Sequence, residues 1–195
     1  MALESEPRRI DALLSALGEQ LHALGGRADV VVIGGAALQV LGYVERPTRD
    51  VDVVGLLDGA RLREAEPFPE TLREAAARVA RDFGLPAEWL NPGPTDLVRL
   101  GLPDGFLRRV HTRTYGPALT VHFADRFDLI HFKLYAMVDQ GGGRHETDLR
   151  ALRPTPEELV AAARWARTHD PSDGFRQQLE AALHHLEVQD ADLGP

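Results

Sequence analysis

The chain has 195 residues, 44% of them hydrophobic, and a formal net charge of −8. That length suits one domain, or a small α/β unit with a helical appendage. The absence of cysteine excludes disulfides, thiolate metal sites and cysteine nucleophiles. The acidic balance gives the molecule no overall basic footprint for nucleic acid, although a local arginine patch remains open.

Targeting and membrane segments are not expected from the sequence. Residues 1–9 are charged and contain no continuous apolar stretch, which is unlike a signal peptide. No run of 18 apolar residues occurs, which argues against a transmembrane helix. We therefore expect a cytoplasmic protein without a membrane partner.

The first half of the chain mixes helical and strand patterns. Apolar residues recur at helical spacing in two stretches, and short β-branched runs between them are typical of buried strands. In chain order these patterns predict a helix over 10–24, a strand over 30–33, a helix over 36–41, a turn over 46–49, a strand over 50–54 and a helix over 69–83.

The second half becomes helical after two further strand patterns. Four prolines make residues 84–105 irregular, and only a short helix over 95–100 is predicted there. The remaining patterns predict strands over 109–115 and 118–123. They also predict four helices: one capped by Asp125 that ends at Gly141, one over 145–152, one that starts at a capping box at Thr155, and one over 175–186. Together they predict an α/β or α+β fold, with an α/β core over 1–124 and a helical region over 125–195.

Gly34 and Gly35 lie between a predicted buried strand and a predicted helix. Glycines there would let phosphate groups approach the backbone, near the N–H groups of the helix start. A tight strand-to-helix turn without any ligand would use the same two glycines, so both interpretations stay open.

Asp50 and Asp52 are two residues apart on a predicted strand, which puts both carboxylates on one face and Val51 and Val53 on the other. Neighbouring carboxylates repel each other unless they share a cation or a proton. Carboxylate oxygens, completed by water and substrate phosphates, are the ligands that Mg²⁺ prefers. An exposed acidic pair on the rim of the sheet is the alternative, and the apolar residues on both sides disfavour it.

This block resembles the DNA polymerase beta-like nucleotidyltransferase superfamily, and most closely its abortive-infection (AbiEii-type) bacterial branch, which includes toxins of toxin–antitoxin pairs. The resemblance implies a small mixed sheet with flanking helices and a helical C-terminal part. It also implies a nucleoside triphosphate as substrate and Mg²⁺ or Mn²⁺ as cofactor. The implied roles are phosphate contacts for Gly34 and Gly35, metal binding for Asp50 and Asp52, and support of the nucleotide or its loop for Arg46 and Thr48.

A second match to the same branch runs over 128–136 and continues to Asp148. The resemblance implies that Lys133, the only lysine of the chain, serves the triphosphate and that Asp148 completes the site. Lys133 also lies in a largely apolar predicted helix, where its ammonium needs a partner. The alternatives are a lysine whose head reaches solvent and, for Asp148, an acid placed near a helix N-terminus.

Many members of the superfamily carry a third carboxylate on a later strand, where the matching strand here offers Thr120 and His122. Three functions therefore stay open. The first is a Mg²⁺-dependent nucleotidyltransferase that moves a nucleoside monophosphate to a hydroxyl of RNA, protein or a small molecule, with a cognate antitoxin or toxin as a further partner. The second is a degenerate nucleotide- or partner-binding module, and the third is an unrelated phosphotransferase.

Overall fold

The computed structural model describes residues 7–48 and 50–194, without the side chains of residues 7 and 8. Arg49, the last residue of the predicted turn over 46–49, lies outside these residues. The described chain is a mixed α/β fold with one open six-stranded sheet and flanking helices, which confirms the predicted fold class. It divides into two compact units: unit 1 is Met1–Leu102 with Leu107–Ala124, and unit 2 is Pro103–Phe106 with Asp125–Pro195.

Every described strand belongs to unit 1. The strands are β1 (Ala28–Ile33), β2 (Val51–Asp58), β3 (Arg61–Glu64), β4 (Leu90–Asn91), β5 (His111–Tyr115) and β6 (Leu119–Phe123). The helices that precede β5 in the chain are α1 (Pro7–Ala23), α2 (Gly34–Val40), α3 (Glu70–Phe83), α4 (Asp96–Leu100) and α5 (Phe106–Arg109), with 3₁₀ turns at Ala87–Trp89 and Gly93–Thr95.

The sheet has the strand order β3-β2-β1-β6-β5, and β4 pairs with the first residues of β2. β1 is antiparallel to β2 and parallel to β6, while β4 is parallel to β2. In this register Ile33 lies opposite Asp52, and Asp52 lies beside Asn91. The end of β1 and the starts of β2 and β4 therefore meet at one end of the sheet.

The core of unit 1 follows from the apolar patterns of its elements. Val30, Val31 and Val32 are fully buried in the central strand β1. On α1, Leu14, Leu17 and Leu21 recur at helical spacing and are also fully buried. Burial of each such leucine contributes roughly 1.5–3 kcal/mol relative to exposure.

Within the described residues, the helices from Asp125 onward are α6 (Arg126–Gln140), α7 (Gly143–Ala151), α8 (Pro156–Arg167) and α9 (Asp173–His185), and side-chain caps start α6, α8 and α9. The Asp125 carboxylate accepts a hydrogen bond from the Phe127 N–H, as expected of a cap. Thr155 and Glu158 form the predicted capping box of α8. None of the helices in the described ranges is both long and apolar enough to cross a membrane.

Three short elements were not predicted, and they share one cause. β3 contains one apolar residue in four, β4 has two residues and α5 has four. Such segments are too short for a periodic pattern, and the two strands are held by long-range pairing with β2. β2 itself begins at Val51, one residue after the predicted start, and runs to Asp58 because β3 pairs with its second half.

Candidate functional site

Asp50 and Asp52 flank the first residue of β2 at the sheet end described above. Val51 and Val53 are fully buried, whereas Asp50 and Asp52 are only partly buried. This alternation is the one expected of a strand that turns two acids to one face and two valines to the core. Asp50 immediately precedes the strand, so its backbone is held less by the sheet than that of Asp52.

The two glycines face these acids and the chain that leads to them. Gly34 adopts a φ of +72°, and a Cβ atom placed on it would overlap the Asp52 carboxylate. A Cβ atom on Gly35 would lie 2.7 Å from Thr48 Oγ1. The diglycine is thus required both by the left-handed turn at Gly34 and by the close approach of Asp52 and Thr48.

Thr48 and Arg46 lie next to Gly35, and Thr48 connects it to Asp50. The Thr48 hydroxyl donates to the Asp50 carbonyl oxygen at 3.1 Å and lies 3.5 Å from Asp50 Oδ1. Arg46 Nη2 lies 3.8 Å from the position of a Cβ atom on Gly35. The fold therefore gathers in unit 1 the six residues that the first sequence match singled out: Gly34, Gly35, Arg46, Thr48, Asp50 and Asp52.

Asn91 is a site residue that the sequence analysis missed. Its Nδ2 donates to Asp52 Oδ1 at 2.9 Å, and its own Oδ1 accepts from the Gly93 N–H at 2.9 Å. The second hydrogen bond orients the amide so that its NH₂ group faces the carboxylate. No signal in the proline-rich stretch around it distinguishes Asn91, because its position depends on the pairing of a two-residue strand with β2.

His122 lies on β6, which pairs with β1 and β5, whereas the strands that pair with β2 at Asp52 are β1 and β4. Its Nδ1 is 2.8 Å from the Thr112 hydroxyl. Burial lowers the pKa of His122 below its ordinary value, and the charge of Asp29 opposes that effect. The lowered pKa favours the uncharged form of the His122 imidazole.

The donor chemistry at this end of the sheet fits a hard cation. Asp50 and Asp52 offer carboxylate oxygens, which Mg²⁺ and Mn²⁺ prefer over nitrogen or sulfur ligands. Within the described ranges, no group of three or more His, Cys, Asp or Glu residues could hold a metal ion. Two carboxylates still suffice for Mg²⁺, which usually keeps several waters and takes its other ligands from substrate phosphates.

Lys133 and Asp148 form a salt bridge inside unit 2, with Lys133 Nζ 2.8 Å from Asp148 Oδ2. The Lys133 side chain is 8% exposed and that of Asp148 is fully buried. Lys133 is thus not a lysine with its head in solvent. Asp148 is the sixth residue of α7, beyond the first turn, so it is not an acid at a helix N-terminus either. The second sequence match therefore identified a buried ion pair between α6 and α7.

Substitution of Gly34 tests how tightly the diglycine and Asp52 are fitted together. We expect Gly34→Ala to lower the free energy of unfolding by about 2–4 kcal/mol, since the added methyl meets a carboxylate and the backbone is left-handed. Gly42→Ala is the matched control, because Gly42 has a φ of +80° but open space around its Cβ position. Urea unfolding should show a loss of only about 1–2 kcal/mol for Gly42→Ala. Equal losses in the two variants would contradict the close fit.

Comparisons of the chain with protein-family models, with curated proteins and with solved structures each gave no match.

Proposed function

We propose that the protein is a Mg²⁺-dependent nucleotidyltransferase, which moves a nucleoside monophosphate from a nucleoside triphosphate to an acceptor hydroxyl. The observation that carries the proposal is the placement of two carboxylates at one end of the sheet: Asp52 lies against Gly34, and Asp50 contacts Thr48, which lies against Gly35. The sequence of this block resembles the DNA polymerase beta-like superfamily and its abortive-infection branch, and that resemblance is the second support.

In the proposed reaction the acceptor hydroxyl oxygen forms a bond to the α-phosphorus of the triphosphate. The bond from that phosphorus to the bridging oxygen breaks, pyrophosphate leaves with its electron pair, and the hydroxyl proton passes to a carboxylate or to water. Asp50 and Asp52 would hold the cation, which when bound neutralises charge on the triphosphate. Gly34 and Gly35 would admit phosphate oxygens close to the backbone, and Thr48 would fix the position of Asp50 through its hydroxyl.

Lys133 and Asp148 enter the proposal through the resemblance. Lys133 would neutralise triphosphate charge, and Asp148 would act as a base or as a supporting carboxylate. The salt bridge also gives both residues a structural role that does not depend on a nucleotide, because the buried charge of each residue is neutralised by the charge of the other. RNA, a protein or a small molecule could supply the acceptor hydroxyl, and action as a toxin on RNA is one case within this class.

A second candidate function is a nucleotide- or partner-binding module that has lost turnover. Asn91 favours it, since the residue beside Asp52 is a neutral amide. An amide donating to Asp52 occupies one carboxylate oxygen and adds no negative charge for a cation. Such a module would bind a nucleoside triphosphate, or a partner, and release it unchanged.

The experiment that separates these functions uses each of the four α-labelled nucleoside triphosphates with Mg²⁺ or Mn²⁺. Total RNA, total cell protein and the small-molecule fraction of a cell extract are offered as acceptors, and an Asp50→Asn/Asp52→Asn double variant runs in parallel. The proposal expects label in one acceptor class with the native protein and none with the double variant. A γ-labelled triphosphate in a parallel arm detects phosphotransfer instead.

Two outcomes would contradict the proposal. Label from the γ-position alone would identify a phosphotransferase. No label in any acceptor, from protein whose circular dichroism shows the native fold, would favour the binding module. Retained triphosphate binding by calorimetry would then identify a nucleotide as its ligand.

A further inference from the structure

The surroundings of Asp52 distinguish its two carboxylate oxygens. Asn91 Nδ2 donates to Oδ1 at 2.9 Å, at the point where β4 pairs with β2. Oδ2 lies against Gly34, where it would overlap an added Cβ atom. One oxygen therefore faces the amide of Asn91, and the other faces the glycine turn at which the proposed function places phosphate groups.

The amide of Asn91 is itself held in one orientation. Its Oδ1 accepts a hydrogen bond from the Gly93 N–H at 2.9 Å, and a Cβ atom on Gly93 would lie 3.0 Å from that oxygen. Turning the amide over would place its oxygen against the Asp52 carboxylate and its NH₂ group against the Gly93 N–H, so both hydrogen bonds would become repulsive contacts. The backbone at Gly93 thus holds the NH₂ group towards Asp52.

A hydrogen bond to Oδ1 affects how Asp52 can bind a cation. It draws on the negative charge of that oxygen and fixes the plane of the carboxylate, so Oδ2 becomes the better ligand. Mg²⁺ requires nearly octahedral coordination at roughly 2.0–2.1 Å, whereas Ca²⁺ takes about 6–8 oxygens and often both oxygens of one carboxylate. A carboxylate that offers a single oxygen therefore suits Mg²⁺ better than Ca²⁺.

We propose that Asn91 is a positioning residue that makes Asp52 bind the cation through Oδ2 alone and thereby favours Mg²⁺ over Ca²⁺. The inference rests on the proposed function, because it places the cation at Asp50 and Asp52. In this role the amide orients a metal ligand and contributes no charge of its own. A neutral residue beside Asp52 then belongs to the metal site and selects the cation.

Competition for bound Mn²⁺ measures this preference without any nucleotide. Mn²⁺ is titrated into the protein at pH 7, free Mn²⁺ is followed by electron paramagnetic resonance, and Mg²⁺ or Ca²⁺ is then added to displace the bound ion. We expect the ratio of the Ca²⁺ to the Mg²⁺ dissociation constant to fall about tenfold in Asn91→Ala, because Asp52 can then offer both oxygens and loses its fixed plane. Asp52→Asn should abolish Mn²⁺ binding.

Asn91→Asp is an isosteric second variant, and it decides the question if Asn91→Ala does not fold. It keeps an acceptor for the Gly93 N–H and sets a second carboxylate against Asp52. Mn²⁺ should therefore bind about tenfold more tightly, while the melting temperature of the metal-free protein falls through repulsion between the carboxylates. Gln178→Glu, on the exposed face of α9, adds the same charge and should leave Mn²⁺ binding unchanged.

The role of Asn91 and the enzyme activity can fail separately in these experiments. An unchanged ratio of dissociation constants in Asn91→Ala, or an unchanged Mn²⁺ affinity in Asn91→Asp, would overturn the role of Asn91 and leave nucleotidyl transfer standing. A shifted ratio without label transfer by the native protein would support the role of Asn91 and remove the proposed activity. Absence of Mn²⁺ binding to the native protein, or its persistence in Asp52→Asn, would also overturn the inference, and label transfer would then test the activity by itself.

Discussion

Lys133→Met is expected to lower the free energy of unfolding by about 3–5 kcal/mol, because it removes the ammonium that pairs with the fully buried carboxylate of Asp148. The ammonium and the carboxylate are 2.8 Å apart, and solvent barely reaches either. Asp148→Asn should lower the free energy of unfolding by a similar amount, because it removes the carboxylate that pairs with the buried ammonium of Lys133. Urea unfolding at pH 7, followed by circular dichroism, measures both effects.

The double variant Lys133→Met/Asp148→Leu separates the cost of burying the two charges from their attraction for each other. Replacement of a buried ion pair by apolar side chains is often neutral or stabilising, so this variant should regain most of the stability that each single variant loses. Arg150→Met is the matched control on α7. Its ion pair with Glu146 at 2.9 Å is much more exposed, so its loss should cost no more than about 1 kcal/mol. Additive losses in the double variant would argue against direct coupling of the pair.

Asp52→Asn is expected to reduce label transfer about 10³-fold if the protein is a nucleotidyltransferase, because the loss of several kcal/mol of charge stabilisation corresponds to that factor. The fold should persist, since Asn91 Nδ2 can donate to an amide oxygen as it does to the Asp52 carboxylate. Initial rates with saturating triphosphate measure the effect, and thermal unfolding measures the fold.

The control for this substitution lies on the same strand. Asp58→Asn removes one negative charge at the exposed end of β2 and should leave the rate within about twofold, because exposed charges at a distance are screened by water and salt. A comparable fall in rate for Asp58→Asn would show that net charge, and not the position of Asp52, governs the reaction. An unchanged rate for Asp52→Asn would remove the metal role from this residue.

The predicted helices and the central strands could be identified from the sequence because their signals are local. The run Val30–Ile33 is apolar and β-branched, and α1 repeats its leucines at helical spacing. Asp125 and Thr155 mark the starts of α6 and α8. The side chain of each accepts a hydrogen bond from a backbone N–H only two or three residues further along the chain. Such signals are complete within a short window, so no tertiary contact is needed to interpret them.

The candidate site was predicted in part. The sequence singles out Gly34, Gly35, Asp50 and Asp52 through their residue types and spacing, and the fold brings them together. The sequence gives no sign that Asn91 lies beside Asp52. That contact joins segments distant in the chain.

The sequence by itself determined the class of fold, the starts of its capped helices and the residue types that could hold a cation, because propensity, capping and charge act over a few neighbouring residues. Only the tertiary structure decided which side chain adjoins Asp52, how Lys133 is neutralised and which oxygen of Asp52 lies against Gly34. Those outcomes depend on strand register and on helix packing, in which residues tens of positions apart come within a few ångströms.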